Sequence, residues 1–299
     1  MDDDISRIVA LGDEQRARLV VAKTTCPFVG SVVAQGLLPV RNTEADPLAS
    51  IDDVRALGNS GGGSLGRLLA LFASTRQVRM RGESGALDRK APDGLFSLEL
   101  PGSLGAHYGD SGILIGDPHA LGSGRWSEAD FQRLAGHAEG GMLKRSAVAT
   151  FIAENLARDP RAKVFIWGLW GRDLLAFLAA VAQAAVSTFF ASADAARLAR
   201  AEMAAKFTAL AMESDLFGSS GEFALLFSLL AHQPGAVSVD GEPALKLVDV
   251  EGMYRHKRLP EGWESWPKSM LEAFGHMAAL VRHAIPQYRR LTRARRQTA

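Results

Sequence analysis

Cys26 is the only cysteine among 299 residues, and a proline follows it directly in "TTCPFVGSVVAQG". Proline is favoured at the first position of a helix, so a helix is expected from Pro27. That helix would carry Phe28, Val29, Val32 and Val33 on one face and stop at Gly36, a residue suited to a left-handed cap. A thiol at its N-terminus meets exposed N–H groups and the positive end of the dipole, which stabilise thiolate. Thiolate is the form needed to ligate iron or to act as a nucleophile. The plainer alternative is that Cys26 packs as a small buried hydrophobe. A nucleophilic-cysteine enzyme also needs a histidine partner, and none of the seven histidines stands in a supporting motif.

Glu222 is the second candidate, in "SSGEFALLFSLLA". An almost wholly apolar run follows it, so its carboxylate is expected to face a low-dielectric space that raises its pKa and suits it to proton shuttling. The competing reading is a capping box, Ser219-x-x-Glu222, in which the side chain only bonds back to a helix start. Glycine-rich "LGNSGGGSLG", residues 57–66, reads as a flexible turn, because the Lys-Ser/Thr of a phosphate-binding loop is missing.

Helices must position these groups. Apolar residues recur at helical spacing over 5–24, and "SEADFQRLAGHA", "RSAVATFIAENLARD", residues 173–213 and "EFALLFSLLAH" each read as helical. Residues 82–125, rich in Gly, Pro, Asp and His, read as one long loop, and loops of that length in compact domains are usually functional. Alternating β-branched residues are scarce, so the expected fold class is all-α, a single helical domain over residues 1–299. From Leu174 to Ala191 the chain carries no charge, but its many alanines and central Gln183 favour a buried or partner-facing helix over a membrane span. The Arg-rich "QYRRLTRARRQTA" reads as a solvated tail, secondarily as a contact for an anionic surface.

Hydrophobic residues at 47 % and charged residues at 22 % are ordinary for a globular chain, and a net charge of +1 gives no global reason to bind nucleic acid. One cysteine excludes an intramolecular disulfide framework, and "MDDDISRIVALG" lacks the basic, then apolar, order of a secretion signal. A cytoplasmic location is expected.

"CPFVGSVVAQGLLP" resembles the proximal motif of the heme-thiolate peroxidases, the superfamily of fungal chloroperoxidase and the unspecific peroxygenases, although Thr25 stands where that family has a proline. "YGDSGILIGD", residues 108–117, is similar to the family's distal segment, and "SSGEFALLFSLLA" with "RLPEGW", residues 258–263, resembles its Gly-Glu and its later Arg-Leu-Pro…Gly-Trp. The resemblance covers less than half the chain and treats residues 165–207 as an apolar helical insertion. It implies heme b held by Cys26, with Pro27, Asp110 and Ser111 beside it, and Glu222 as acid-base catalyst toward hydrogen peroxide. Tyr108 and Gly112 replace the family's cation-binding Glu and Ser, so no second Mg²⁺ or Mn²⁺ is expected.

The family's usual partners for the glutamate are also replaced, by Asp215 and Gly109. His107 is then the candidate substitute, its alternative being a loop histidine without catalytic duty. The implied reaction oxidises or oxygenates a small, hydrophobic organic substrate. The competing reading is a heme-free helical scaffold that docks on a membrane surface or a partner through residues 174–191 and the arginine-rich tail, or pairs with a second copy through the apolar helix.

Overall fold

The computed structural model of the chain describes residues 7–23, 27–41, 47–50, 53, 56–57, 95–98, 114–115, 125–158, 162, 164, 179, 182–183, 186, 192, 215–230, 233, 238–263 and 270–298. Seven helices stand among them and account for 65 % of that structure. The molecule is helix-rich, yet short antiparallel strands also form, so the all-α expectation holds only in outline.

Helix α1 spans Asp13–Lys23, later than the expected start at residue 5. Tertiary pairing overrides the helical pattern there: the Val9 N–H donates to Val40 O at 2.9 Å, and Ile8 bridges Arg41. Helix α2, Pro27–Ala34, begins at the expected proline, and its residues from Pro27 to Val33 are all buried. Gly36 follows with φ +71°; its N–H reaches Val33 O while that of Leu37 reaches Val32 O, a Schellman ending. Arg16 of α1 fastens this end through a hydrogen bond from its Nε to Ala34 O at 3.4 Å.

Strands β1 (Leu48–Ser50) and β2 (Leu95–Ser97) pair antiparallel, as do β3 (Leu114–Ile115) and β4 (Arg125–Trp126). Three of these four lie in or at the end of the segment expected to be one long loop. Helix α3, Glu128–Ala135, is capped by Ser127, whose Oγ accepts from the Asp130 N–H at 3.2 Å. Strand β5 (Met142–Lys144) runs into α4 (Arg145–Arg158), and α5 spans Asp215–Leu230. Strands β6 (Ser238–Val239) and β7 (Glu242–Lys246) complete a sheet of order β5-β7-β6. Asp240 and Gly241 both have positive φ, the two-residue turn that Asp-Gly favours between antiparallel strands.

Helix α6 (Leu247–Tyr254) continues directly from β7, and α7 (Met270–Thr298) packs along α4 and α5. Glu242 of β7 closes the N-terminus of α4: its carboxylate accepts from the Ser146 N–H at 2.6 Å and from the Ser146 hydroxyl at 2.8 Å. The core lies between α2, α4, α5, α6 and α7 and holds Phe151, Phe223, Phe227, Tyr254 and Trp263. The arginine-rich end, expected as a solvated tail, has its arginines exposed and is part of α7, which is helical through Thr298.

The glycine-rich turn from residue 58 onward and most of 165–207 lie outside the described residues. Within the uncharged stretch, Ala179, Ala182, Gln183 and Val186 are helical and exposed at the spacing of a single face, with Val186 58 % exposed. That face is turned outward instead of into a core. Among the described residues no helix is long and apolar enough to cross a membrane.

Candidate functional site around Glu222 and Tyr254

Glu222 does not cap a helix. Helix α5 already runs from Asp215, which puts Glu222 two turns inside it and Ser219 in its buried interior, so the capping-box alternative is ruled out. The Glu222 side chain is half-buried, and its Oε1 accepts from the Tyr254 hydroxyl at 2.5 Å. Tyr254 closes α6 and is 0 % exposed. The tyrosine thus reaches the carboxylate from inside the core and fixes its orientation. Asp215, a candidate like-charge neighbour, sits on the same helix about 10 Å away along the axis at ~1.5 Å of rise per residue.

The Cys-Pro helix forms the other wall of Tyr254's surroundings. The Ser31 hydroxyl of α2 donates to Pro27 O at 2.7 Å and lies 3.4 Å from Met253 O, so a buried polar group is satisfied within α2 and toward α6. Beyond α6 the chain reverses through Lys257, whose φ of +50° is uncommon for a non-glycine residue. The reversal brings the Leu259 N–H to Gln35 Oε1 at 3.0 Å and sets Trp263 edge-on against Phe28, with ring centroids 5.6 Å apart. The first and third motifs are therefore packed on each other.

Two further features lie on the turn that carries Glu222. Among the described residues, a methyl group on Gly221 would meet nothing within 4 Å. The Ser220 hydroxyl, fully buried, has no hydrogen-bond partner among the described residues. At the start of α6 the Asp249 carboxyl is pushed up from its ordinary value by burial, against the opposing hydrogen bond of Gln233 and the charge of Lys246.

Of the residues singled out from sequence, Pro27 is buried on α2 and Glu222 is half-buried on α5, and each of these helices meets the end of α6. Cys26, His107, Asp110 and Ser111 lie outside the described residues, as do Tyr108 and Gly112. Tyr254 was missed as the partner of Glu222. Its signal was faint: one of three tyrosines, four residues ahead of the Arg-Leu-Pro run. Among the described residues no group of three or more His, Cys, Asp or Glu could hold a metal ion. No family model, curated protein or solved structure matches the chain. Chemically, the arrangement offers a carboxylate oriented by a buried phenol, next to a buried helix whose preceding residue is the sole thiol.

Proposed function

We propose that the protein is a heme-thiolate peroxidase or peroxygenase that uses hydrogen peroxide to oxidise or oxygenate a small, hydrophobic organic substrate. One observation carries this reading. Segments 222 positions apart, the Cys-Pro helix and the end of α6, share a core with the glutamate that the resemblance names as acid-base catalyst. The contact satisfies the buried Tyr254 hydroxyl and at the same time orients the half-buried Glu222 carboxylate, the form that acid-base chemistry needs.

Two features support the reading of a thiolate-ligated heme. Cys26 directly precedes Pro27, the buried first residue of α2, so the ligand stands by sequence at the favoured end of a helix dipole. Among the described residues, a methyl group on Gly221 would meet nothing within 4 Å and the Ser220 hydroxyl has no partner, both on the turn of Glu222. Cys26 would hold the iron, and the bound heme would supply peroxide O–O cleavage, favoured by thiolate donation. Glu222 would take a proton at its carboxylate and return it to the departing oxygen, with Tyr254 holding that carboxylate in one orientation. Such acid-base catalysis contributes typically about 10²–10⁴-fold. His107 remains the proposed second proton-handling group, and Asp110 and Ser111 the proposed cofactor contacts.

The test is the absorption spectrum of protein given hemin, then reduced and exposed to carbon monoxide, for wild type and Cys26→Ala. A strongly red-shifted Soret band in wild type, absent in Cys26→Ala, is expected. Peroxide turnover should then fall by about 10²–10⁴-fold in Glu222→Gln. A wild-type protein that takes up no hemin would end the peroxidase reading and leave the heme-free scaffold.

A further inference from the structure

The last acidic residue of the chain is Glu272; the residues beyond it contain six arginines and no lysine. The whole chain carries a formal charge of +1, so residues 1–272 carry −5 and the rest +6. That segment is helix α7, and the structure sorts its two sides sharply. Ala273, His276, Leu280 and Ala284 are buried against α4 and α5, with Met277, Ile285 and Leu291 packed beside them. On the opposite side Arg282, Arg289, Arg290, Arg293 and Arg296 are all exposed, within about 120° of the helix circumference at 3.6 residues per turn. From Arg282 to Arg296 this cationic stripe is about 21 Å long at ~1.5 Å per residue. Arg282, Arg290, Arg293 and Arg296 make no ion pair among the described residues. Arg295, off the stripe, instead donates to Ala157 O at the end of α4 and pins the helix to the body.

We infer that this face docks the protein on an anionic phospholipid bilayer. The charge of the stripe complements such a surface, and clusters of four to eight Lys/Arg on an amphipathic helix are the pattern of electrostatic lipid binding. Arginine forks also match phosphate oxygens two at a time. The packing of α7 decides between anionic partners. Base readout in the major groove draws on mixed donors, acceptors and apolar groups, whereas the outer side of α7 offers mainly arginines, its inner side being packed and fastened at Arg295. The stripe carries no exposed aromatic side chain on which single-stranded bases could stack. A laid-down helix with one cationic side fits a broad flat surface. Its apolar side is already used in the core, so the contact is electrostatic and lies on the headgroups without insertion.

The experiment is co-sedimentation of the full chain with phosphatidylcholine vesicles, with and without phosphatidylserine, at low and high salt. Binding is expected only with phosphatidylserine, and it should be lost at high salt because exposed charges are screened. Each basic residue near such a surface contributes about 1 kcal/mol, roughly fivefold in partitioning. The triple variant Arg290→Gln, Arg293→Gln, Arg296→Gln should therefore bind on the order of a hundredfold more weakly. The matching triple lysine variant should bind nearly as wild type, and circular dichroism of both variants verifies that α7 stays helical. Salt-insensitive binding, equal binding of the glutamine variant, or no binding of wild type overturns the inference. So does tighter binding to duplex DNA than to the anionic vesicles.

Discussion

At the scale of single residues, the hydrogen bond from Tyr254 to Glu222 is the feature on which the proposed chemistry turns, and it can be tested without any cofactor. A hydrogen bond to a charged group contributes about 1.5–3 kcal/mol, more than a neutral one. Tyr254 is fully buried and Glu222 half-buried, so water replaces the lost partner poorly. Tyr254→Phe and Glu222→Ala, each of which removes one partner of the bond, are expected to destabilise the protein in urea unfolding. The double variant should lose about 1–2 kcal/mol less than the sum of the two, because the bond can be broken only once. Strict additivity would mean that the two side chains do not interact in solution. The legibility of this pair was uneven. Glu222 stood out because an acid before a long apolar run is unusual, while Tyr254 looked like any core aromatic. What joins them is the fold of α6 onto α5, which no local pattern encodes.

At the scale of elements, what could be read from sequence was what local chemistry dictates. Pro27 and Gly36 bracket α2 because one residue has a preset φ and the other tolerates a positive one. Helices α3 and α4 began at or next to the first residues of the stretches read as helical, Ser127 and Arg145. The β6–β7 hairpin was equally legible in Asp240-Gly241 but went unread, and β1 and β2 are three residues each, too short to show a period. The N-terminal helix began late, and α7 runs through the stretch read as a tail. In both places long-range packing sets the boundary: Val9 against Val40 at one, the apolar face of α7 at the other. The ending of α2 carries its own prediction. Gly36 has φ +71°, and a Cβ there would stand 3.1 Å from the Arg16 guanidinium carbon. Gly36→Ala should cost about 1–2 kcal/mol for the left-handed backbone alone. Gly221→Ala serves as the control, because its methyl meets nothing within 4 Å. Urea unfolding in which the two variants are equally stable would remove the strain argument.

At the scale of the whole molecule, three helices meet around one ionisable group that takes no part in the proposed reaction. His276 of α7 is 8 % exposed and stacks on Phe227 of α5, ring centroids 5.2 Å apart. Its Nδ1 accepts from Arg145 Nη1 of α4 at 3.2 Å, which a protonated ring could not do. Burial holds its pKa below the usual 6.5, and the Arg145 cation adds to this against the opposing Glu272. The folded protein therefore keeps His276 neutral at pH values where the unfolded chain already binds a proton. Stability contributed by this site is present above pH 6.5 and is lost as pH falls from there toward the folded pKa. Across that window the loss can reach one proton, about 1.4 kcal/mol per pH unit. His276→Gln keeps a carbonyl that can accept from Arg145 and removes the titration. The difference in unfolding free energy between wild type and this variant should thus shift against wild type as pH falls below 6.5. The other six histidines are the same in both proteins and cancel in the difference. Parallel stability curves for the two proteins would mean that the junction of α4, α5 and α7 admits a protonated ring, and that its packing is looser than the contacts of His276 describe.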